Sequence, residues 1–241
     1  MHLGNPFSKA KNPMVDFLKW AAREKYDLCI NGDGFEIAQV SFTKIAMETP
    51  EVFRALKSFT TSGRNVYYVI GNHDIVLENL LHDWGAFKLA PFLNVKSGTS
   101  RIRIEHGHLY DPFFVKYPAT YEFLTWAAGI PLKLSPNLYY AWIQFEKLKA
   151  KFFKPMPMLG GQGIIGEHPN FFRAAKELSE RGFDFVVFGH THHAGQVDLG
   201  DSKHYFNTGS WLMGTPFLSI TDGAVALRTW SAEARPRTIS A

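Results

Sequence analysis

The run Asp184-Phe-Val-Val-Phe-Gly-His-Thr-His-His193 constrains the fold more than any other stretch of the chain. Phe185 to Phe188 make an apolar run of strand length, Gly189 allows the unusual backbone angles of a turn, and His190 and His192 follow at once. Open α/β sheets gather their ligand sites at the carboxyl ends of strands, so this pair of imidazoles reads as a reactive edge. Three other apolar runs end in the same way. Leu28-Cys29-Ile30 runs into Asn31-Gly32-Asp33-Gly34-Phe35-Glu36, and Val66 to Ile70 runs into Gly71-Asn72-His73-Asp74. Arg101 to Glu105 alternates isoleucine with charge, the period of a half-exposed strand, and ends in His106-Gly107-His108.

Helical patterns separate these runs and make the chain an α/β protein. Asn12-Pro13 predicts a helix start, with Asn as N-cap and Pro at the first helical position, and Thr49-Pro50-Glu51 repeats the signal ahead of Val52, Phe53, Leu56 and Phe59. Val76, Leu77, Leu80, Leu81 and Trp84 predict one apolar helix face, and Asn170 to Arg181 predicts a helix closed by Gly182. Tyr205 to Trp211 and Leu218 to Thr229 read as late strands with Asp222-Gly223 as a hairpin turn, and the tail from Ala232 is polar and loose. From Asp111 to about Gly166 the sequence turns aromatic-rich and proline-broken, which predicts an inserted helical cap. Within it Leu138, Trp142, Phe145, Leu148 and Phe152 share one stripe, while Lys147, Lys151 and Lys154 lie opposite, either on a solvated face or against anionic lipid or phosphate. Gly161-Gln-Gly-Ile-Ile-Gly166 has the letters of a dinucleotide loop but follows no strand, so it is expected to be a mobile hinge.

A chain of 241 residues, 46% hydrophobic, accommodates one domain over 1–241 with one insertion. Its net charge of +4 suits an anionic substrate but lacks the long basic track that a nucleic acid would call for. Cys29 is the only cysteine, which excludes an intrachain disulfide and a cysteine-built zinc site. With no long apolar span and no signal-peptide pattern, the expectation is a soluble cytoplasmic protein, peripheral to the inner face of the membrane if the cap touches lipid.

The strand exits together present Asp33, Asn72, His73, His106, His108, His190 and His192. Oxygen and imidazole donors without thiolate suit Mn²⁺, Fe²⁺ or Zn²⁺, and one carboxylate can bridge two ions. Two such ions activate water and clamp an in-line displacement at phosphorus, so phosphoester or pyrophosphate hydrolysis is the expected chemistry.

The blocks Gly32-Asp33-Gly-Phe-Glu36, Gly71-Asn72-His73-Asp74, His106-Gly107-His108 and Gly189-His190-Thr191-His192 resemble, in order, four of the five signature blocks of the calcineurin-like metallophosphoesterases. The resemblance implies two packed mixed β-sheets flanked by helices. It implies that Asp33 bridges two divalent ions, Mn²⁺ first among the candidates, that Asn72, His106 and His190 hold one, and that His192 with His2 holds the other. His73, with Asp74, would serve the transition state or the leaving oxygen, and Glu36, His108, Lys147 and Lys151 would support the site or meet substrate. Size, the Asn207-Thr-Gly-Ser-Trp211 strand and the helical insertion are most similar to the UDP-2,3-diacylglucosamine pyrophosphatase group, whose substrate is a lipid A precursor. Many of that group carry Arg where this chain has His73, whereas general phosphodiesterases or phosphatases keep the His, so a general phosphodiesterase, phosphatase or nuclease of the same superfamily is the alternative expectation. The first block should read Asp-x-His-Leu-Gly, and Met1-His2-Leu3-Gly4 supplies only its second part. Two expectations follow: a longer chain supplying the Asp and a central strand ahead of His2, or a scaffold that keeps the fold without the chemistry.

Overall fold

The computed structural model describes residues 11–38, 40–80, 87–134, 141, 163–164, 166–212 and 214–231. The element order begins α1 (Lys11–Arg23), β1 (Leu28–Asn31), α2 (Phe42–Glu48), α3 (Pro50–Thr61) and β2 (Val66–Val69). It continues β3 (Lys88–Ala90), β4 (Phe92–Ser97), β5 (Ser100–Glu105), α4 (Pro112–Lys116) and α5 (Pro118–Leu134). After the insertion come α6 (Pro169–Glu180), β6 (Phe185–Phe188), β7 (Gly195–Gly200), β8 (Lys203–Asn207), β9 (Pro216–Thr221) and β10 (Ala224–Thr229). Short 3₁₀ turns occupy Ile75–Leu80 and His108–Tyr110.

Side-chain alternation along the strands builds the layers. In β2, Val66 and Tyr68 pack with Met14, Leu18, Val52, Leu56 and Phe59 of α1 and α3, whereas Val69 faces the opposite way toward Ile102, Ile104, Val187 and Phe206. In β6 and β8, Val186, Phe188 and Tyr205 meet Phe171, Ala175 and Leu178 of α6, while Val187 and Phe206 turn inward. The result is helices, sheet, sheet and helix, with an apolar layer at each junction. Burying one of these large side chains contributes about 2 kcal/mol, so each junction is worth many times a single surface contact.

The inner layers hold a parallel sheet β1-β2-β3, a mixed sheet β4-β5-β6-β8-β7 and the hairpin β9-β10. The hairpin belongs to the first layer, because Leu218 and Ile220 face the five-stranded sheet while Phe217 packs on Phe17 of α1. Between β1 and β9 runs an apolar slot of about 240 Å³, lined by Leu28, Ile30, Ile104, Val187 and Leu218, which reaches Asp33, His106 and His190. This is the expected two-sheet sandwich, with its first layer in two pieces.

Three expectations need correction. The helix expected through Val76, Leu77, Leu80, Leu81 and Trp84 is, where it is described, a 3₁₀ turn over Ile75–Leu80, with the Leu77 amide bonded to Asp74 O at 2.9 Å and Val76 exposed; 81–86 lie outside the described residues. Asn12 and Pro13 fall inside the first turn of α1 rather than at its cap, a place where Pro still sacrifices no helical hydrogen bond. The strands β3, β4 and β7 were not expected at all. The stripe Leu138, Trp142, Phe145, Leu148, Phe152 with its opposing lysines, the residue His2, and the tail from Ala232 lie outside the described residues. Among the described residues no helix is long and apolar enough to cross a membrane.

Candidate metal centre

Because β1 runs parallel to β2, and β5 parallel to β6, all four expected blocks leave their strands at the same edge of the sandwich. Asp33, His106 and His190 converge there, each offering a donor atom within 4.8 Å of the others. His106 Nε2 lies 3.2 Å from Asp33 Oδ2 and 3.2 Å from Asn72 Oδ1, and His190 Nδ1 lies 2.9 Å from the same Asn72 oxygen. Gly32 makes this approach feasible: its φ is +69°, and a Cβ there would stand 2.0 Å from His106 Nδ1.

The outward nitrogens are also engaged. His106 Nδ1 faces the Asn31 carbonyl at 3.0 Å, and His190 Nε2 faces Asp111 Oδ2 at 3.0 Å. A backbone carbonyl or a carboxylate on the far nitrogen is how metal-ligating histidines are held and their tautomer fixed. Burial, first of all, lowers the pKa of His190, and the Asp111 hydrogen bond, which opposes it, does not reverse the shift; the Asp111 carboxyl is itself held down chiefly by its bond to His190. A neutral His190 therefore donates Nε2–H to ionised Asp111 and points the lone pair of Nδ1 at an Asn72 oxygen that is itself an acceptor. His106 is pulled the other way. Burial disfavours its charge, yet Asp33 and the Asn31 carbonyl outweigh burial and raise its pKa, as expected of an imidazole with acceptors at both nitrogens. Three acceptors, Asp33 Oδ2, Asn72 Oδ1 and His190 Nδ1, thus converge around His106 Nε2, whose proton is the one they share and the one a divalent cation would replace.

Of the ligands assigned to a second ion, His192 lies beside this cluster on the slot wall, outside the three-residue group, and His2 is outside the described residues. Lys147 and Lys151 are likewise outside them. His73 Nδ1 meets Glu36, which is buried, and the His73 amide donates to Asp33 Oδ1 at 3.0 Å. Burial pulls the His73 pKa down, but Asp33, Glu36 and the Glu36 hydrogen bond together carry it up to about 9, so this imidazole holds a proton at neutral pH. His108 is the opposite case. Burial, then His106 and His190, push it down to about 3, and its Nδ1 has no hydrogen-bond partner among the described residues.

Asp74 sits beneath the reacting edge rather than at it. Its carboxylate is fully buried and accepts from Gly34 N at 3.0 Å, Gly71 N at 2.6 Å and the Tyr68 hydroxyl. This carboxylate fastens the Asp33 and Asn72 turns to each other, a brace rather than a group facing substrate.

Sequence reasoning missed two side chains from the insertion. Asp111 Oδ1 caps α4 by accepting from Phe113 N at 2.8 Å while Oδ2 orients His190, and the Tyr121 hydroxyl of α5 accepts from Asn72 Nδ2 at 3.4 Å. The Asp111-Pro112 pair carried a cap signal, but nothing in the sequence said which histidine it would reach. A search of the curated proteins finds no match to this chain. The calcineurin-like phosphoesterase family matches over residues 10–194, which takes in all four blocks and the insertion. The chain therefore belongs to the calcineurin-like phosphoesterases.

Proposed function

We propose that this protein is a metal-dependent hydrolase of an amphiphilic phosphoester, one whose phosphorus binds at the Asp33, Asn72, His106 and His190 cluster and whose apolar part lies along α4 and α5. Divalent ions in that cluster, with Mn²⁺ the first candidate, would supply Lewis-acid activation of water and neutralise charge on the phosphoryl oxygens. Asp33 and Asn72 provide oxygen donors, and Asn31 and Asp111 hold the two imidazoles in the tautomers that ligation requires. His73, protonated and oriented by Glu36, is placed to hand a proton to a leaving oxygen or to stabilise developing negative charge.

The observation that carries the substrate class is the two-sided character of the cap entry. Tyr121 points inward to Asn72, while Leu109, Phe113, Val115, Tyr117, Phe123, Leu124 and Trp126 around it are exposed, Leu109 by 64% and Phe123 by 61%. An exposed apolar patch rimming a polar site fits a ligand with a phosphate head and an apolar tail, and also fits transient contact with the inner face of a membrane. The finer assignment, a UDP-linked acylated sugar of lipid A synthesis handled in the cytoplasm, is supported by the likeness of the Asn207-Thr-Gly-Ser-Trp211 strand and the helical insertion.

The test is a panel assayed with Mn²⁺: a UDP-linked diacyl sugar, its deacylated counterpart, a small chromogenic diester and a monoester. Hydrolysis that needs Mn²⁺, disappears in Asp33→Ala and is at least tenfold more efficient on the acylated than on the deacylated compound is expected. Equal kcat/KM on the acylated and deacylated compounds would remove the lipid, and no turnover of any of them by Mn²⁺-loaded protein would remove the enzyme.

A further inference from the structure

We propose that Glu167 is the positioning residue of the metal-ligand loop, a buried acceptor that clamps Thr191 and so sets the geometry of His190 and His192 on either side of it. The proposal rests on the metal-centre reading above. The loop requires an external clamp: His190 and His192 both have left-handed backbone angles, φ +59° and +65°, which L-residues with side chains adopt only where their surroundings impose it. The internal bond, Thr191 N to Gly189 O at 2.7 Å, tightens the turn but ties it to nothing else.

Glu167 supplies the tie. Its Oε1 accepts from the Thr191 hydroxyl at 2.7 Å and from Asn207 Nδ2 at 2.6 Å, and its Oε2 accepts from the Tyr205 hydroxyl at 2.7 Å. Asn207 Nδ2 also reaches Gly189 O at 2.6 Å, so the amide and the carboxylate grip both ends of the turn from the floor of β8. The side chain is 4% exposed and makes no ion pair with a cation among the described residues, so acceptor geometry rather than charge does the clamping. The backbone around it is fitted to the loop as well. A Cβ on Gly166 would stand 2.7 Å from the His193 ring, and one on Gly195 would stand 2.9 Å from Ile164. Of the glycines in the expected hinge, Gly166 is used for close packing against the ligand loop.

Thr191→Val removes the clamped hydroxyl, and Glu167→Leu removes the acceptor while keeping roughly its volume. Each is expected to weaken Mn²⁺ binding about tenfold, measured by competition with a chelating dye, and the double variant should add little to either alone. Glu167→Gln should restore near-native Mn²⁺ affinity, since its carbonyl still accepts from Thr191 and Asn207 while its amide donates to the Tyr205 oxygen. Tyr205→Phe removes only the bond at Oε2 and leaves Oε1 bonded to Thr191 and Asn207, so it should weaken Mn²⁺ binding less than Thr191→Val does. If Glu167→Leu and Thr191→Val lower Tm but bind Mn²⁺ as the wild type does, the positioning role is overturned. If Glu167→Leu fails to fold, Thr191→Val reads the same bond from its other end, together with the 3.0 Å bond that Thr191 Oγ1 accepts from Asn207 Nδ2. Wild-type protein that binds Mn²⁺ yet hydrolyses no phosphoester would overturn the proposed reaction and leave this assignment standing; wild-type protein that binds no Mn²⁺ would overturn both.

Discussion

Asp111 performs two tasks with one carboxylate, and two substitutions separate them. Oδ1 caps α4, and Oδ2 receives the Nε2 proton of His190, leaving Nδ1 free to face Asn72. Asn caps a helix about as well as Asp, so Asp111→Asn retains the cap. With its oxygen on the Phe113 amide, however, its NH₂ faces His190 Nε2, and a donor there drives the ring proton to Nδ1, the nitrogen the cluster needs bare. That wrong tautomer is expected to weaken Mn²⁺ affinity 10- to 100-fold, about 1.4 to 2.8 kcal/mol. Asp111→Ala has the opposite profile. His190 loses its orienting partner but keeps a free choice of tautomer, so affinity falls less, while loss of the cap costs about 1 kcal/mol. For a chain of this size that corresponds to a fall of about 2 to 4 °C in Tm.

The expected result is therefore a crossed ranking. In metal-free thermal melts the Ala variant is the less stable of the two, and in Mn²⁺ titrations the Asn variant is the weaker binder. Imidazole nitrogen chemical shifts report the tautomer directly and should show the Nδ1–H form of His190 in Asp111→Asn alone. If the two variants rank the same way in both assays, or if Asn binds Mn²⁺ as tightly as wild type, the carboxylate–imidazole assignment is refuted.

Two further predictions concern the same edge. The His73 pKa, raised from 6.5 to about 9, means that its protonated form stabilises the metal-free fold fully below pH 6.5 and that this contribution is lost as pH rises through about 9, at most about 3 kcal/mol; His106, also raised, acts with the same sign. Urea unfolding in chelator between pH 6 and pH 9.5 should show the decline, His73→Gln should shrink it, and an unchanged slope in that variant would contradict the assignment. Gly32→Ala should cost more than Gly63→Ala although both have similar positive φ, +69° and +72°, because a Cβ on Gly32 meets the His106 ring and one on Gly63 meets nothing within 4 Å. Gly63→Ala should pay only the left-handed strain of about 1 to 2 kcal/mol, and equal losses of Tm in the two would remove steric crowding from the account.

What the sequence disclosed and what it withheld follow from the range of the interactions concerned. Strand runs that end in Gly and a polar residue are local signals, and parallel pairing converts them into one shared edge, so Asp33, Asn72, His106 and His190 were legible as a group. The 3₁₀ turn at Ile75–Leu80 is not legible locally, because it starts from Asp74, whose carboxylate is tied to Gly34, Gly71 and Tyr68, partners up to forty residues away. Short β3, β4 and β7 lack the strong apolar run of an inner strand: β4 alternates exposed and half-buried positions, with Phe92 and Asn94 on its outer face. Glu167 gave no signal at all, because a buried carboxylate that serves as an acceptor looks, as a letter, like any surface glutamate.

The two ends of the insertion meet the loop of His190, Thr191 and His192 at adjacent residues, and that has a mechanical consequence. Asp111, where the insertion leaves the core, bonds His190; Glu167, where it returns, bonds Thr191. Both bonds are made by carboxylates that also hold their own backbone surroundings, Asp111 by capping α4 and Glu167 through Tyr205 and Asn207. A shift of the loop by a few tenths of an ångström, of the kind that filling a ligand cluster produces, must therefore be taken up at both anchors at once. Neither anchor can yield cheaply, since moving Asp111 uncaps a helix and moving Glu167 strands buried donors, each at about 1 kcal/mol or more. The loop geometry and the two ends of the insertion are thus energetically one unit, which is why substitutions at Asp111 and Glu167, far apart in sequence, are expected to be read out by the same ion.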